Sequence, residues 1–235
     1  MPVLYNILRM VLSLDKFDLM RQRHSVRSYL DKDIDSEHVL IMQKAIDRYN
    51  KISGLRMQFI ENDENAFDCL MAKYGKFEGV KNYIALVGPK APDLEFKCGY
   101  YGEHLVMIAQ SLGLNTCWVG QTFKKSKTVY HAELNEKLAA VITIGYGKTQ
   151  GTPHKSKKLR SVSDYKESDP DWYIRGLEAA MLAPTALNQQ RFNIVHNERR
   201  VKLRPGVGFF TKMDMGIVKY HFELGAGREN FYWSE

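Results

Sequence analysis

Two short segments, far apart in the chain, carry side chains whose types and spacing could do chemistry. The first reads Arg21-Gln22-Arg23-His24-Ser25-Val26-Arg27-Ser28-Tyr29. Arg23, Ser25 and Arg27 stand at alternating positions, so in an extended or turn conformation two guanidinium groups and a hydroxyl project to one side. Planar cationic forks and a hydroxyl that converge in this way make a grip for an oxyanion such as phosphate. The second segment, Ala183-Pro184-Thr185-Ala186-Leu187-Asn188-Gln189-Gln190, breaks a helical pattern at Pro184 and continues in small hydroxyl and amide side chains. Such residues let a backbone approach a flat polar ring closely and hydrogen-bond its edge.

A phosphate grip and a ring-edging loop describe the two ends of a flavin mononucleotide (FMN). The residues that make them also resemble those of the FMN-dependent nitroreductases. The first signature of that family, Arg-x-Ser-x-Arg or Lys, is matched by Arg23, Ser25 and Arg27. The second, Ala-Pro-Ser-x-x-Asn-x-Gln-Pro-Trp, is matched by Ala183 through Gln190, with Thr185 keeping the hydroxyl of the usual Ser. Arg191-Phe192 departs from the family's usual Trp-x-Phe. In most of the family the second signature follows the first by a few tens of residues, whereas here it lies in the C-terminal third. The resemblance therefore implies the branch in which one chain carries two fused, diverged half-units.

From that resemblance follow an α+β fold, a nitroreductase-like mixed sheet flanked by helices, and an internal pseudo-duplication. Residues 1–150 would form the first half, 151–164 a basic connecting loop and 165–235 a shorter second half, together one compact domain. Family members usually take the grip and the loop of each flavin site from opposite subunits of a homodimer. One chain with fused halves would then build one intact site, hence about one FMN, and could be a monomer or a homodimer.

The resemblance assigns Arg23, Ser25 and Arg27 to the phosphate and ribityl end of FMN, helped by Lys158 and Arg160 as the family's late Lys-x-Arg pair. For Lys158 and Arg160 a solvated loop is an equally good reading. Pro184, Thr185, Ala186 and Asn188 would border the isoalloxazine, and Trp118, Val119 and Gly120 resemble the segment that runs beside its N5 and pyrimidine edge. For Cys117 and Trp118, packing in the core competes with direct contact, and Gly120 and the backbone carry more of the expectation. No protein side chain is expected to be catalytic: NADH or NADPH would reduce the flavin, which would pass hydride from N5 to a small acceptor such as a nitroaromatic, a quinone or an activated alkene. Two other readings stay open, a flavin-binding protein with different redox chemistry, such as dehalogenation or dehydrogenation, and a non-catalytic basic interaction module.

The elements that must hold these segments are legible in outline. With 235 residues, 44% of them hydrophobic, the chain can bury a large core. Its net charge of +7 is concentrated in Arg21 to Arg27 and Lys148 to Lys166, with no basic tract interleaved with aromatics, so nucleic acid is not an expected partner. Cys69, Cys98 and Cys117 are odd in number and lack metal-ligand spacing, which favours a reducing, cytoplasmic setting without disulfides. The seven His residues show no two-His spacing with a third ligand, so no metal is expected. No Gly-x-Ser-x-Gly or Walker-type loop is present. Val3 to Leu14 is apolar but broken by Asn6 and Arg9, so it does not read as a signal peptide, and no run reaches the length of a membrane span.

Periodicity predicts a helix capped by Ser36 and running to about Tyr49, with Val39, Met42, Ile46 and Tyr49 on one stripe. A strand over Met57 to Glu61, a helix over Glu64 to Tyr74 and a buried strand over Tyr83 to Val87 follow. A helix from Leu94 to Leu112 ends at Gly113; another helix is expected after Gly120, then a strand over Ala139 to Gly145 and a loop over Lys148 to Ser163. Asp169 caps the next predicted helix with Pro170 at its first position, and Phe192 to His196 reads as a strand. Met213, Ile217, Tyr220 and Leu224 predict a last helix, closed by Gly225. The order and end signals of this second set echo the first, which is internal support for duplication.

Overall fold

The computed structural model describes residues 15–234. The apolar segment Val3 to Leu14 lies outside the described residues. Helix α1 (Lys16–Gln22) and helix α2 (Ser36–Ser53) precede a four-stranded antiparallel sheet of order β1-β2-β4-β3. Its strands are β1 (Gln58–Ile60), β2 (Tyr83–Pro89), β3 (Asn115–Val119) and β4 (Glu136–Gly145), with α3 (Leu70–Tyr74) before β2 and α4 (Leu94–Ser111) after it. The rest of the chain supplies α5 (Asp171–Ala180), β5 (Phe192–Asn197), β6 (Arg200–Pro205), α6 (Thr211–Ala226) and β7 (Tyr232–Trp233). In this second sheet β6 pairs antiparallel with β5 and parallel with β7. The architecture is α+β, with mixed strand directions and helices packed against the sheets, as the sequence predicts.

Residues 83–88 of β2 are all buried, a run without alternation, as expected of a central strand covered on both faces. Met42 and Ile46 of α2 are fully buried beneath it, and Leu105 and Val106 of α4 join Val218 and Phe222 of α6 in the same core. α4 and α6 cross with their backbones nearly touching. A Cβ on Gly99 would fall on the Met213 carbonyl, and one on Gly216 would fall on the Phe96 carbonyl. Only glycine allows this approach, and it brings the start of α6 under the end of β3.

The grip segment is held to the same sheet. Arg23 ends α1 in extended conformation (φ −70°, ψ 115°), Ser25 bridges Thr116 of β3, and the Val26 N–H donates to the Thr116 carbonyl at 3.0 Å. The extended conformation that would align Arg23, Ser25 and Arg27 is therefore the observed one.

Several element boundaries differ from expectation. Ser36 is the first residue of α2, and neither it nor Asp35 caps the helix through a side chain. The helix expected over Glu64 to Tyr74 begins only at Leu70, because the Asp63 carboxylate accepts the Asn65 N–H at 3.0 Å and folds the preceding residues into a turn. After Gly120 there is only a 3₁₀ turn at Lys125–Lys127, since the Lys124 N–H is taken by the Ala66 carbonyl and Phe123 is drawn into the core. The Asp169 carboxylate accepts the Lys166 N–H at 2.8 Å instead of capping α5, and Pro170 takes the cap position. Gly225 lies inside α6, which is closed instead by Gly227 at φ 75°.

Candidate functional site

A cavity of about 770 Å³ opens between the grip segment, the end of β3, the turn after α3, the Pro184–Asn188 loop and the start of α6. Ten of the twelve residues expected at a cofactor line it: Arg23, Ser25, Arg27, Trp118, Val119, Gly120, Pro184, Thr185, Ala186 and Asn188. They come from opposite ends of the chain and from both sheets' surroundings, so their meeting is a product of the tertiary fold.

Arg23 is the most telling of them. Its side chain is 3% exposed, and its Nε–H has no hydrogen-bond partner among the described residues. Burial lowers its pKa, while the charges of Glu103 and Cys117 oppose that shift. A guanidinium kept dry with a free N–H is costly unless an anion completes it. Arg27 is solvent-exposed, its guanidinium 5.9 Å from the centre of the Phe77 ring. Ser25 is half-buried between them, its hydroxyl beside the Cys117 thiol.

The wall formed by β3 is set from behind by a polar chain whose Glu103 and His221 are fully buried. Trp118 Nε1 donates to Glu103 Oε2 at 2.8 Å, Glu103 Oε1 lies 2.8 Å from His221 Nε2, and His221 Nδ1 donates to the Ala179 carbonyl at 3.2 Å. Because a carbonyl only accepts, Nδ1 carries hydrogen, and a single proton occupies the contact between Nε2 and the carboxyl. The Trp118 ring packs on Gly102 of α4 and also lines the cavity. At Gly120 the ring of Phe210 lies so close that a Cβ would come within 2.5 Å of Cζ.

The second wall is the loop after α5. Leu187, Asn188 and Gln190 have φ of 52°, 51° and 45°, in the left-handed region. Hydrogen bonds hold them there. Thr185 Oγ1 accepts the Gln190 N–H at 3.0 Å, and Asp214 accepts the Ala186 N–H at 2.9 Å and Gln189 Nε2 at 2.8 Å. Asn188 spends its amide within the loop, donating to the Lys155 carbonyl at 2.8 Å and accepting from Gln190 Nε2 at 2.6 Å. These bonds tie Asn188 to the Lys155 backbone and the Gln190 side chain at the cavity wall. Of the seven non-glycine residues with positive φ among the described residues, Lys76, Leu187, Asn188 and Phe210 line the cavity, so backbone strain is gathered at this site.

Lys158 and Arg160 are not among the lining residues. Both are exposed, and Arg160 sits 3.4 Å from Glu167. The basic segment instead braces the polar loop from outside: the Lys157 N–H donates to Gln190 Oε1 at 2.8 Å and its Nζ to the Gln189 carbonyl at 2.7 Å.

Sequence reasoning did not single out Lys76, Phe210, Met213 or Asp214, which also line the cavity, or Glu103 and His221 behind it. Helical spacing marks Met213 only as a helix position, and His221 entered only as one of seven His residues without metal-ligand spacing. The useful signal was an acid, Asp214, in an otherwise apolar turn of α6, next to Met213 and Met215. Burial raises its pKa to about 6, against the opposing pull of its bonds to Gln189 and Ala186. His24, also in the cavity, has its pKa lowered by burial, then by Arg23 and His154.

Among the described residues no group of three or more His, Cys, Asp or Glu could hold a metal, and no helix is long and apolar enough to cross a membrane. Cys69, Cys98 and Cys117 are free thiols, with burial pushing that of Cys98 up to about 12.

Residues 15–226 match the model of the family described as "Putative TM nitroreductase". Among solved structures, the chain is similar to a putative nitroreductase from Thermotoga maritima, with a TM-score of 0.62 and 20% identity over 90% of this chain and 83% of that one. A putative nitroreductase from Desulfovibrio desulfuricans, solved in complex with FMN, matches with a TM-score of 0.52 and 20% identity over 66% of this chain and 97% of that one. A nitroreductase family protein from Streptococcus pneumoniae matches with a TM-score of 0.51 and 15% identity over 64% and 99%. No curated protein matches the chain.

Proposed function

The chain belongs to the putative TM nitroreductase family, and from that premise we propose that it is a flavin oxidoreductase holding one FMN in the cavity between the grip segment and the Pro184–Asn188 loop. The observation that carries this reading is Arg23: a buried guanidinium with an unpartnered Nε–H, in the wall of a cavity of about 770 Å³ beside Ser25 and Arg27, calls for an anion. FMN fits the donor set. Arg23, Ser25 and Arg27 would hold its phosphate and ribityl end, and the backbone of Trp118 to Gly120 with Pro184, Thr185 and Ala186 would border its ring. That the relative from Desulfovibrio desulfuricans was solved with FMN agrees with this choice.

When bound, FMN would supply the redox chemistry, taking hydride from NADH or NADPH and giving it to a small acceptor such as a quinone, a nitroaromatic or an activated alkene. The chain's own residues bind, orient and shield. The Glu103–His221 pair fixes the plane of Trp118, and Phe210 covers Gly120 and limits what can enter beside β3.

We further read the chain as two fused half-units. Apart from the short helix α3 inserted between β1 and β2, the order helix, strand, strand, helix, strand occurs in α2-β1-β2-α4-β3 and again in α5-β5-β6-α6-β7, which supports this reading. The grip would come from the first half and the loop from the second, so one intact site per chain is expected.

An absorbance spectrum with the flavin-to-protein ratio tests the proposal. Purified or FMN-reconstituted protein should be yellow with close to one flavin per chain. Colourless protein that takes up no FMN would sink it and favour a basic interaction module. Anaerobic turnover with NADH or NADPH and several acceptor types then separates acceptor reduction from dehalogenation or dehydrogenation.

A further inference from the structure

Asp214 is the one carboxyl among the residues that line the cavity, set against the cations Arg23, Arg27 and Lys76 and the imidazoles His24 and His154. It is 2% exposed. The Ala186 N–H and Gln189 Nε2 fix its orientation at 2.9 and 2.8 Å, one on each oxygen, which leaves a further lone pair on each. From its own helix it is flanked by Phe210, Met213 and Ile217, and no described Lys, Arg or His lies within ion-pair distance of it. A carboxyl in a largely apolar wall, without a cation in contact, keeps its proton to a higher pH than an ordinary carboxyl, in keeping with the upward displacement that burial causes. His24, which also lines the cavity, is displaced away from the charged form by burial.

We propose that Asp214 is the general acid for the acceptor, delivering the proton that a quinone or nitro oxygen takes up as the acceptor is reduced. This rests on the flavin oxidoreductase reading. For a quinone the balance is simple. The dihydronicotinamide donor loses a C–H bond, and that hydrogen with both electrons ends as the O–H bond on one quinone oxygen. The Asp214 O–H bond breaks with its electron pair left on the carboxylate, and an O–H bond forms on the other quinone oxygen. Water then reprotonates Asp214. In sum, dihydronicotinamide, quinone and one solvent proton become the nicotinamide cation and hydroquinone.

The experiment compares wild type with Asp214→Asn, which keeps an oxygen for the Ala186 N–H, using a benzoquinone and ferricyanide as acceptors. Ferricyanide takes electrons without protons. Quinone turnover should fall by roughly 10²-fold, the low end of general-acid contributions, so the ratio of quinone to ferricyanide rates falls with it. The pH profile for the quinone should lose its limb near 6 in the variant. Independently of turnover, infrared difference spectra of the FMN-free protein should show a carboxyl titrating near pH 6 that is missing from Asp214→Asn. Equal loss with both acceptors together with weakened FMN uptake would overturn the proposal and leave Asp214 as a tether for the loop. An unchanged quinone rate would overturn it in favour of solvent as the acid. Wild-type protein that takes up no FMN would overturn the underlying reading and this one with it, whereas a failure of the quinone arm alone defeats only the role of Asp214.

Discussion

Replacing Arg23 with Met should weaken FMN binding while leaving the FMN-free fold as stable as before or more so. The two effects have separate origins. Arg23 is 3% exposed with an unpartnered Nε–H, so in the empty protein its charge is desolvated with little return. Methionine retains an unbranched stem for packing and removes that cost. Glu103, whose charge acts on Arg23, stays hydrogen-bonded to Trp118 and His221 after the change. With phosphate bound, the guanidinium contributes a charge-assisted hydrogen bond worth about 1.5–3 kcal/mol. At ~1.4 kcal/mol per tenfold, Kd should rise on the order of 10- to 150-fold. Quenching of FMN fluorescence on titration gives Kd, and thermal melts without FMN give the second quantity. An unchanged Kd combined with a lower melting temperature would refute the reasoning, because it would make Arg23 a structural cation with no anion to receive.

Three other outcomes are expected. Asp214 has a folded pKa of about 6 against an ordinary 3.8, so the native state holds more protons than the unfolded chain between those values and stability must fall as pH rises through that window. A difference of about two in pKa corresponds to roughly 3 kcal/mol; urea unfolding of FMN-free protein at pH 4.5 and 7 should show a decline for wild type that Asp214→Asn reduces. Gly216→Ala forces a methyl onto the Phe96 carbonyl where α4 and α6 cross, and should lower the urea midpoint by an amount equivalent to about 1–3 kcal/mol or more. Lys158→Ala combined with Arg160→Ala should change the Kd of FMN by less than about twofold, since both are exposed and outside the cavity; a loss as large as that of Arg23→Met would mean that the basic loop closes over the phosphate.

What could be read from the chain without its fold were the local rules. Strand β2 announced itself as an unbroken apolar run, α4 by its stripe and the αL glycine at 113, and the grip by guanidinium and hydroxyl groups at every second position. These depend on residues near in sequence, so near-neighbour chemistry is enough to see them. Where a side chain from elsewhere competed, the local rule failed. Asp63 turned the start of the predicted helix at Glu64 into a loop, and Ala66 took the Lys124 N–H that a helix after Gly120 would have used.

The amino-acid sequence thus determined the α+β class, most of the helices and strands, and the two segments able to hold an anion and border a ring. Only the tertiary structure decided that these segments face one another, that Lys157, Lys158 and Arg160 of the basic loop stay outside the cavity while His154 lines it, and that Asp214, Phe210 and the Glu103–His221 pair belong to the site. The physical reason is the crossing of α4 and α6 at Gly99 and Gly216. Two helices more than a hundred residues apart come into backbone contact there, which seats the start of α6 beneath β3, and no pattern within either helix specifies its partner.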